Sequence, residues 1–372
     1  MDMMTPRPDG TGGEHESDGE RRLASGAAFV ELLELGAAQT KRGLAVFPLI
    51  AKTNGGPWYV TLTEAIAAGQ ARITEVDEGG CIPNLSVVNK GDTRLLILDG
   101  EELRGAKQNR VLNTTILVGK HSSLVVPVSC TEHGRWRYDM PAFEADEFVA
   151  DRGVRAELRR SVSASVKAGV GHRSDQGGVW NEVEMLHAKQ GTHSPTGAQR
   201  DAYQAKKSDL DKLLAAFPLV EGQQGMLVVH GNEVVGLDLV SIPEKYARLH
   251  DKLLRSYVFE ALASDRKADD DPALGRAFLE RIADLQAESF KSPGLGWDLR
   301  FEGSGVLGSL LTYRGRLIHA AFFDVGGVAG ARRGAAGDRG GRSESEAPPE
   351  TRPEPRWRIA DARERARRRQ AR

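Results

Sequence analysis

Leu85-Ser-Val-Val-Asn89, Arg94-Leu-Leu-Ile-Leu98, Thr114-Thr-Ile-Leu-Val118 and Ser123-Leu-Val-Val-Pro-Val-Ser129 are four short apolar, β-branched runs in close succession. Asn89-Lys-Gly-Asp92 and Gly119-Lys-His-Ser122 separate them with turn chemistry. Short strands at this spacing predict an antiparallel β-sandwich or a partly open barrel. Upstream, Leu44–Ile50, Trp58–Leu62 and Ala71–Val76 read as further strands, Ala27–Leu35 as a short helix, and Thr63–Gly69 as a helical turn capped by Thr63. Downstream the period changes. Glu144–Lys167, Trp180–Lys189 and Thr196–Phe217 carry apolar residues at helical intervals, with a glycine-rich break at Gly169–Gly178.

The strand pattern then returns. Gly225–His230 and Glu233–Val240 flank the two-residue turn Gly231-Asn232, and Gly305–Tyr313 pairs with Arg316–Phe323 around Arg314-Gly315. Between these hairpins lie two helices, one opened by Pro243 and one running from Pro272 to Ser289. The expected fold class is therefore α+β. An N-terminal antiparallel β-sandwich or partly open barrel (23–143) leads into a helical middle segment and a C-terminal hairpin-helix-helix-hairpin unit (144–327), packed as one body. The glycine-rich stretches Gly294–Asp298 and Gly303–Gly308 lack the strand before and helix after that a nucleotide cradle needs, and read as turns. Asp238, inside an apolar strand, reads as an edge or outward-facing carboxylate.

Composition bounds what the chain does. Residues 1–22 are polar and 328–372 are rich in Arg, Gly and Pro, so both ends are expected to be disordered tails. Deleting 328–372 is accordingly expected to leave the melting temperature nearly unchanged; a large drop would show that the segment packs on the body. The full chain balances 51 basic against 52 acidic residues, and removing the tail's thirteen arginines and seven acids leaves 38 against 45. An acidic body argues against nucleic-acid binding as the main task, leaving only weak contact through the Arg-rich tail. The cysteines, Cys81 and Cys130, are too few for a disulfide framework or a Cys-rich zinc site. With no apolar run long enough to span a membrane, the expected location is the cytosol.

Chemistry concentrates in Asp99-Gly-Glu-Glu-Leu-Arg-Gly-Ala-Lys-Gln-Asn-Arg-Val-Leu-Asn113, a polar stretch set between apolar strands. Arg and Lys can hold a phosphate, a carboxylate a ribose hydroxyl, and an amide a base edge. The same residues can equally form a buried salt-bridge network joining two sheets. Asp99, Lys107, Gln108, Asn109, Arg110 and Asn113, with Glu132 and Trp136 beyond the next strand, are the candidate ligand-binding residues. Glu101, Glu102 and Cys130 are the candidate catalytic groups. Cys130 has His133 three residues on as a potential base, against the plainer reading of a buried strand-end thiol. Asp99, Glu101 and Glu102 also make a candidate magnesium site, since such sites need only one or two carboxylates plus substrate phosphates.

The 99–113 stretch, followed by Val126-Pro-Val-Ser-Cys-Thr-Glu-His-Gly-Arg-Trp136 and by Gly236-Leu-Asp-Leu239 within 225–257, resembles the signature of the ARPP domain family, whose name abbreviates association with ADP-ribosylglycohydrolases and rhodanese-phosphatase proteins. The resemblance runs from about Leu35 to Leu262 and does not extend past Phe323. It implies a link to NAD and ADP-ribose metabolism, with an ADP-ribose-like or other phosphorylated small molecule as ligand. It supplies no catalytic residues. Three readings follow: a nucleotide-linked binding or processing protein, a non-enzymatic interaction module, and a cysteine-dependent hydrolase.

Overall fold

The computed structural model describes residues 18–52, 57–76, 83–105, 107–135, 140 and 142–326. The expected C-terminal tail, Cys81 and Trp136 lie outside these residues. The described chain is α+β, built on a closed six-stranded antiparallel barrel and a nine-stranded antiparallel sheet. The barrel runs Ser122–Cys130, Asn84–Asn89, Ala71–Glu75, Phe143–Val149, Glu101–Gly105, Arg110–Leu112 and back to Ser122–Cys130. Ile73, Leu85, Val87, Leu103, Leu112, Val126, Val128 and Phe143 share its apolar cluster. Beside it, Ile116–Val118, Arg94–Ile97 and Tyr59–Thr61 form a small sheet whose last pair is parallel.

The large sheet places Leu44–Ala51 next to the hairpin Gly225–His230/Glu233–Val240, then Arg316–Asp324, Val306–Tyr313, Trp297–Gly303 and Glu288–Lys291. Both of its faces are covered, which is why its strands read as continuous apolar runs. Leu44 and Val46 belong to one core cluster, whereas Ala45, Phe47 and Leu49 belong to the other. Helix Pro243–Val258 fills the first side and helix Pro272–Ala283 the second. The two hairpins anticipated from sequence are thus parts of one sheet, completed by an N-terminal strand.

Several local expectations are corrected. Phe143–Val149 is a strand that closes the barrel, and the helix begins only at Arg152, where the Asp151 carboxylate accepts from the Gly153 amide at 2.8 Å. The expected helix 27–35 is a short helix at Gly26–Val30 followed by the strand Leu33–Leu35. The helix after Tyr59–Thr61 is capped by Thr61, not Thr63, in a reciprocal capping box with Glu64. Helix Pro272–Ala283 ends before Glu288–Lys291, and Trp297–Gly303 is an additional strand. Order also starts before residue 23: Asp18–Leu23 is helical, and the buried Glu20 carboxylate accepts from the Gly315 amide. No helix among the described residues is long and apolar enough to cross a membrane.

Candidate functional site

The polar stretch is itself strand, turn, strand: Glu101–Gly105 pairs antiparallel with Arg110–Leu112, and the turn between carries Lys107, Gln108 and Asn109. Arg110 lies directly opposite Cys130 on the neighbouring strand. Side chains alternate along a strand, so Glu75 follows Ile73, Arg110 shares the side of Leu112, and Cys130 shares that of Val128. These three polar groups cap one end of the apolar barrel interior. The Arg110 guanidinium donates from Nη1 to the Cys130 thiol and, at 3.2 Å, to Gln108 Oε1. Its Nη2 stands 3.6 Å from Glu75 Oε1, with the two side chains 0% and 4% exposed.

A second carboxylate organises the rim of this end. Glu132 accepts from the Asn109 amide at 3.1 Å, from Arg135 Nε on both oxygens at 3.0 Å, and from the Thr196 hydroxyl at 2.9 Å. Arg135 Nη2 in turn donates to Asn109 Oδ1 at 3.2 Å. The Gln176 side chain clamps the backbone of Cys130, accepting from its amide at 2.8 Å and donating to its carbonyl at 2.9 Å. Burial pushes the Cys130 thiol up, an effect the Arg110 charge only partly offsets. His133 stacks edge-on against Trp180.

The remaining predicted residues belong to other neighbourhoods. Glu101 takes a 2.6 Å bond from Lys252 Nζ. Asn113 accepts from Ser129 Oγ at 2.7 Å and donates to the His172 carbonyl at 3.0 Å. Asp99 accepts from Thr115 at 3.0 Å and from Arg159 Nη2 at 2.7 Å. Asp99, Glu101 and Glu102 are thus held by separate partners, Arg159, Lys252 and Gln199. Among the described residues no group of three or more His, Cys, Asp or Glu is placed to hold a metal ion.

Asp238 corrects a further expectation. It is fully buried, on a strand inside the large sheet, and binds Arg155 through two parallel bonds of 2.8 and 2.7 Å. Tyr257 donates to it at 2.5 Å, and His319 Nε2 lies at 3.2 Å. Burial opposes charge on Asp99, yet Arg159 and Arg155 hold its carboxyl well below the usual range. This network joins the loop around Asp99 to the large sheet through Arg155 and Arg159, one helical turn apart on Arg152–Lys167. Gly100, with φ of +76°, admits it: a Cβ there would stand 2.7 Å from Arg155 Cγ. Arginines four apart beside Val154, Leu158 and Val162 are the sequence signal for the network, and apolar periodicity does not register charged residues.

Glu102 is shifted in the opposite direction to Asp99. Full burial, with Asp146 as a nearby like charge, pushes it up to about 8 despite hydrogen bonds from Gln199 at 2.7 Å and Thr131 at 3.0 Å. Since the folded protein keeps a proton that the unfolded chain releases near 4.5, the stabilisation from this group is complete below that pH and lost by about 8. Glu102→Gln is therefore expected to gain stability relative to the parent by about 2–3 kcal/mol between pH 5.5 and 8. Denaturant unfolding at the two pH values checks this; a constant difference would mean that Glu102 is ionised throughout.

No curated protein and no solved structure matches the chain. The family model described as the ARG and Rhodanese-Phosphatase-superfamily-associated Protein domain, ARPP-1, matches residues 32–323, which span the barrel and the large sheet as far as Phe323. The chain belongs to the ARPP-1 family.

Proposed function

We propose that the chain binds or processes a phosphorylated, nucleotide-linked small molecule of NAD or ADP-ribose metabolism, received at the capped end of the barrel. One observation carries this reading: separate segments bring Glu75, Gln108, Asn109, Arg110, Glu132 and Arg135 together at that end, around a guanidinium buried inside the barrel. With Lys107, the set offers three cations against two carboxylates and two amides. An ADP-ribose-like ligand presents a pyrophosphate, two riboses and an adenine, which need that mixture. Barrel mouths are common ligand sites, and the family name supports the link to ADP-ribose chemistry. Thermal shift with NAD, ADP-ribose, ADP and inorganic phosphate, with and without magnesium, tests the reading. A ligand at a hundred times its dissociation constant adds ~2.7 kcal/mol of stability. No response to any of them would contradict it.

The interaction-module alternative is favoured by a separate observation, the extent to which buried acids and bases satisfy one another, as in the Arg155–Asp238 pair. On that reading no ligand shifts the melt. The cysteine-hydrolase alternative has less support, because a nucleophilic thiol needs a lowered pKa and burial acts on Cys130 in the other direction. Cys130→Ala is expected to cost roughly 1–3 kcal/mol by leaving Arg110 short of a partner, and to preserve the ligand response. Complete loss of a measured activity with unchanged melting would put the nucleophile first.

A further inference from the structure

We propose that the Glu75 carboxylate receives a vicinal diol, the 2′- and 3′-hydroxyls of a ribose; this rests on the nucleotide reading above and names the part of the ligand that enters the barrel. Glu75 ends the strand Ala71–Glu75, and its side chain is 4% exposed. Both of its oxygens are buried, and neither has a hydrogen-bond partner among the described residues. An ionised carboxylate has about four lone-pair sites to satisfy, and leaving them empty in an apolar interior is costly. Arg110 offsets the charge but fills none of these lone-pair sites. Its nearest nitrogen is 3.6 Å away, outside hydrogen-bond range, while its Nη1 is engaged by Cys130 and Gln108.

The charge balance selects the kind of ligand group. Glu75 and Arg110 together carry no net charge, so an added phosphate would be repelled by Glu75 and an added ammonium by Arg110. A neutral group with two adjacent donors meets both oxygens without changing the balance. The neighbouring interior side chains, Ile73, Leu112 and Val128, are apolar and supply no donor. On this proposal the anionic part of the ligand stays at the rim with Lys107 and Arg135.

Calorimetric titration of the full chain tests this with ADP against 2′-deoxy-ADP, and with ribose 5-phosphate against 2-deoxyribose 5-phosphate. The first pair reads the adenosine ribose and the second the terminal ribose of an ADP-ribose. The parent is expected to prefer the diol in one of the pairs by about tenfold or more. Glu75→Gln is expected to lose that preference while keeping the weaker affinity for the deoxy ligand. Should Glu75→Gln not fold, Glu75→Asp keeps the charge beside Arg110, withdraws the oxygens by one methylene, and is expected to lose the preference likewise. Equal binding within both pairs, or an undiminished preference in the variant, would overturn the diol and leave the nucleotide reading in place. Equal losses for diol and deoxy ligands in the variant would overturn it too, because the carboxylate would then be acting only through Arg110. A parent that binds none of the ligands, nor ADP-ribose itself, would overturn both.

Discussion

Replacing Arg155 with methionine is expected to lower the stability of the chain by about 3–5 kcal/mol. Arg155 and Asp238 are wholly buried and meet through two short parallel bonds, so loss of the cation strands Asp238 in the protein interior. Asp99, 3.5 Å from Arg155 Nε, loses one of its two guanidinium neighbours at the same time. Methionine keeps much of the apolar stem but withdraws the guanidinium from over the ring of Phe323, so the measured loss reads the charge and its ring contact more than the packing. The double variant Arg155→Met, Asp238→Leu is expected to recover a substantial part of the loss, since exchanging a whole buried pair for apolar residues is often neutral. Urea unfolding of both variants checks this. A single variant within about 1 kcal/mol of the parent would mean that the network is solvated and does not hold the barrel to the sheet.

Arg110→Met is expected to have the next largest effect, a loss of about 3 kcal/mol. It removes the cation nearest to Glu75 and the donor to Cys130 and Gln108 in one step. Pairing it with Glu75→Leu is expected to restore folding without restoring any ligand response, which separates the structural and ligand-binding uses of the arginine. If Arg110→Met melts like the parent, the barrel end is open to water and the account of its buried charge fails.

The fold was read from sequence wherever a local signal and the tertiary environment agreed. Gly225–Val240 is such a place: a two-residue turn with glycine in its left-handed position joins two runs that the large sheet buries on both faces. Phe143–Val149 is the opposite case. Glu144, Asp146 and Glu147 interrupt its apolar residues, and the strand pairs with Glu101–Gly105 through an irregular register between Ala145 and Val149. That irregularity breaks the two-residue period, and the charged residues then resemble a helix surface.

The site was read in part for a related reason. The turn at 107–109 stands out because polar residues beside apolar strands are costly unless satisfied, and Cys130 because His133 follows three residues on. Arg135 is only three residues from Glu132, but Glu75, Gln176 and Thr196 come from distant segments that only the tertiary fold brings near. Asp238 was misplaced because an acid in a continuous apolar strand is ordinarily an edge residue. Its explanation, Arg155, lies 83 positions away on a helix.

Titrating ADP-ribose into the parent chain and into Lys107→Met by calorimetry is the most direct test of a nucleotide-linked site at the barrel end. Lys107 sits in the turn at the rim and is the least buried of the cluster's ligand-binding candidates, so its replacement is expected to spare the fold. The account predicts saturable binding by the parent, weakened in Lys107→Met by ~1.5–3 kcal/mol, the worth of one charge-assisted hydrogen bond, with the melting temperature close to that of the parent. Binding of equal strength in the two proteins, or no binding to the parent with or without magnesium, would contradict it.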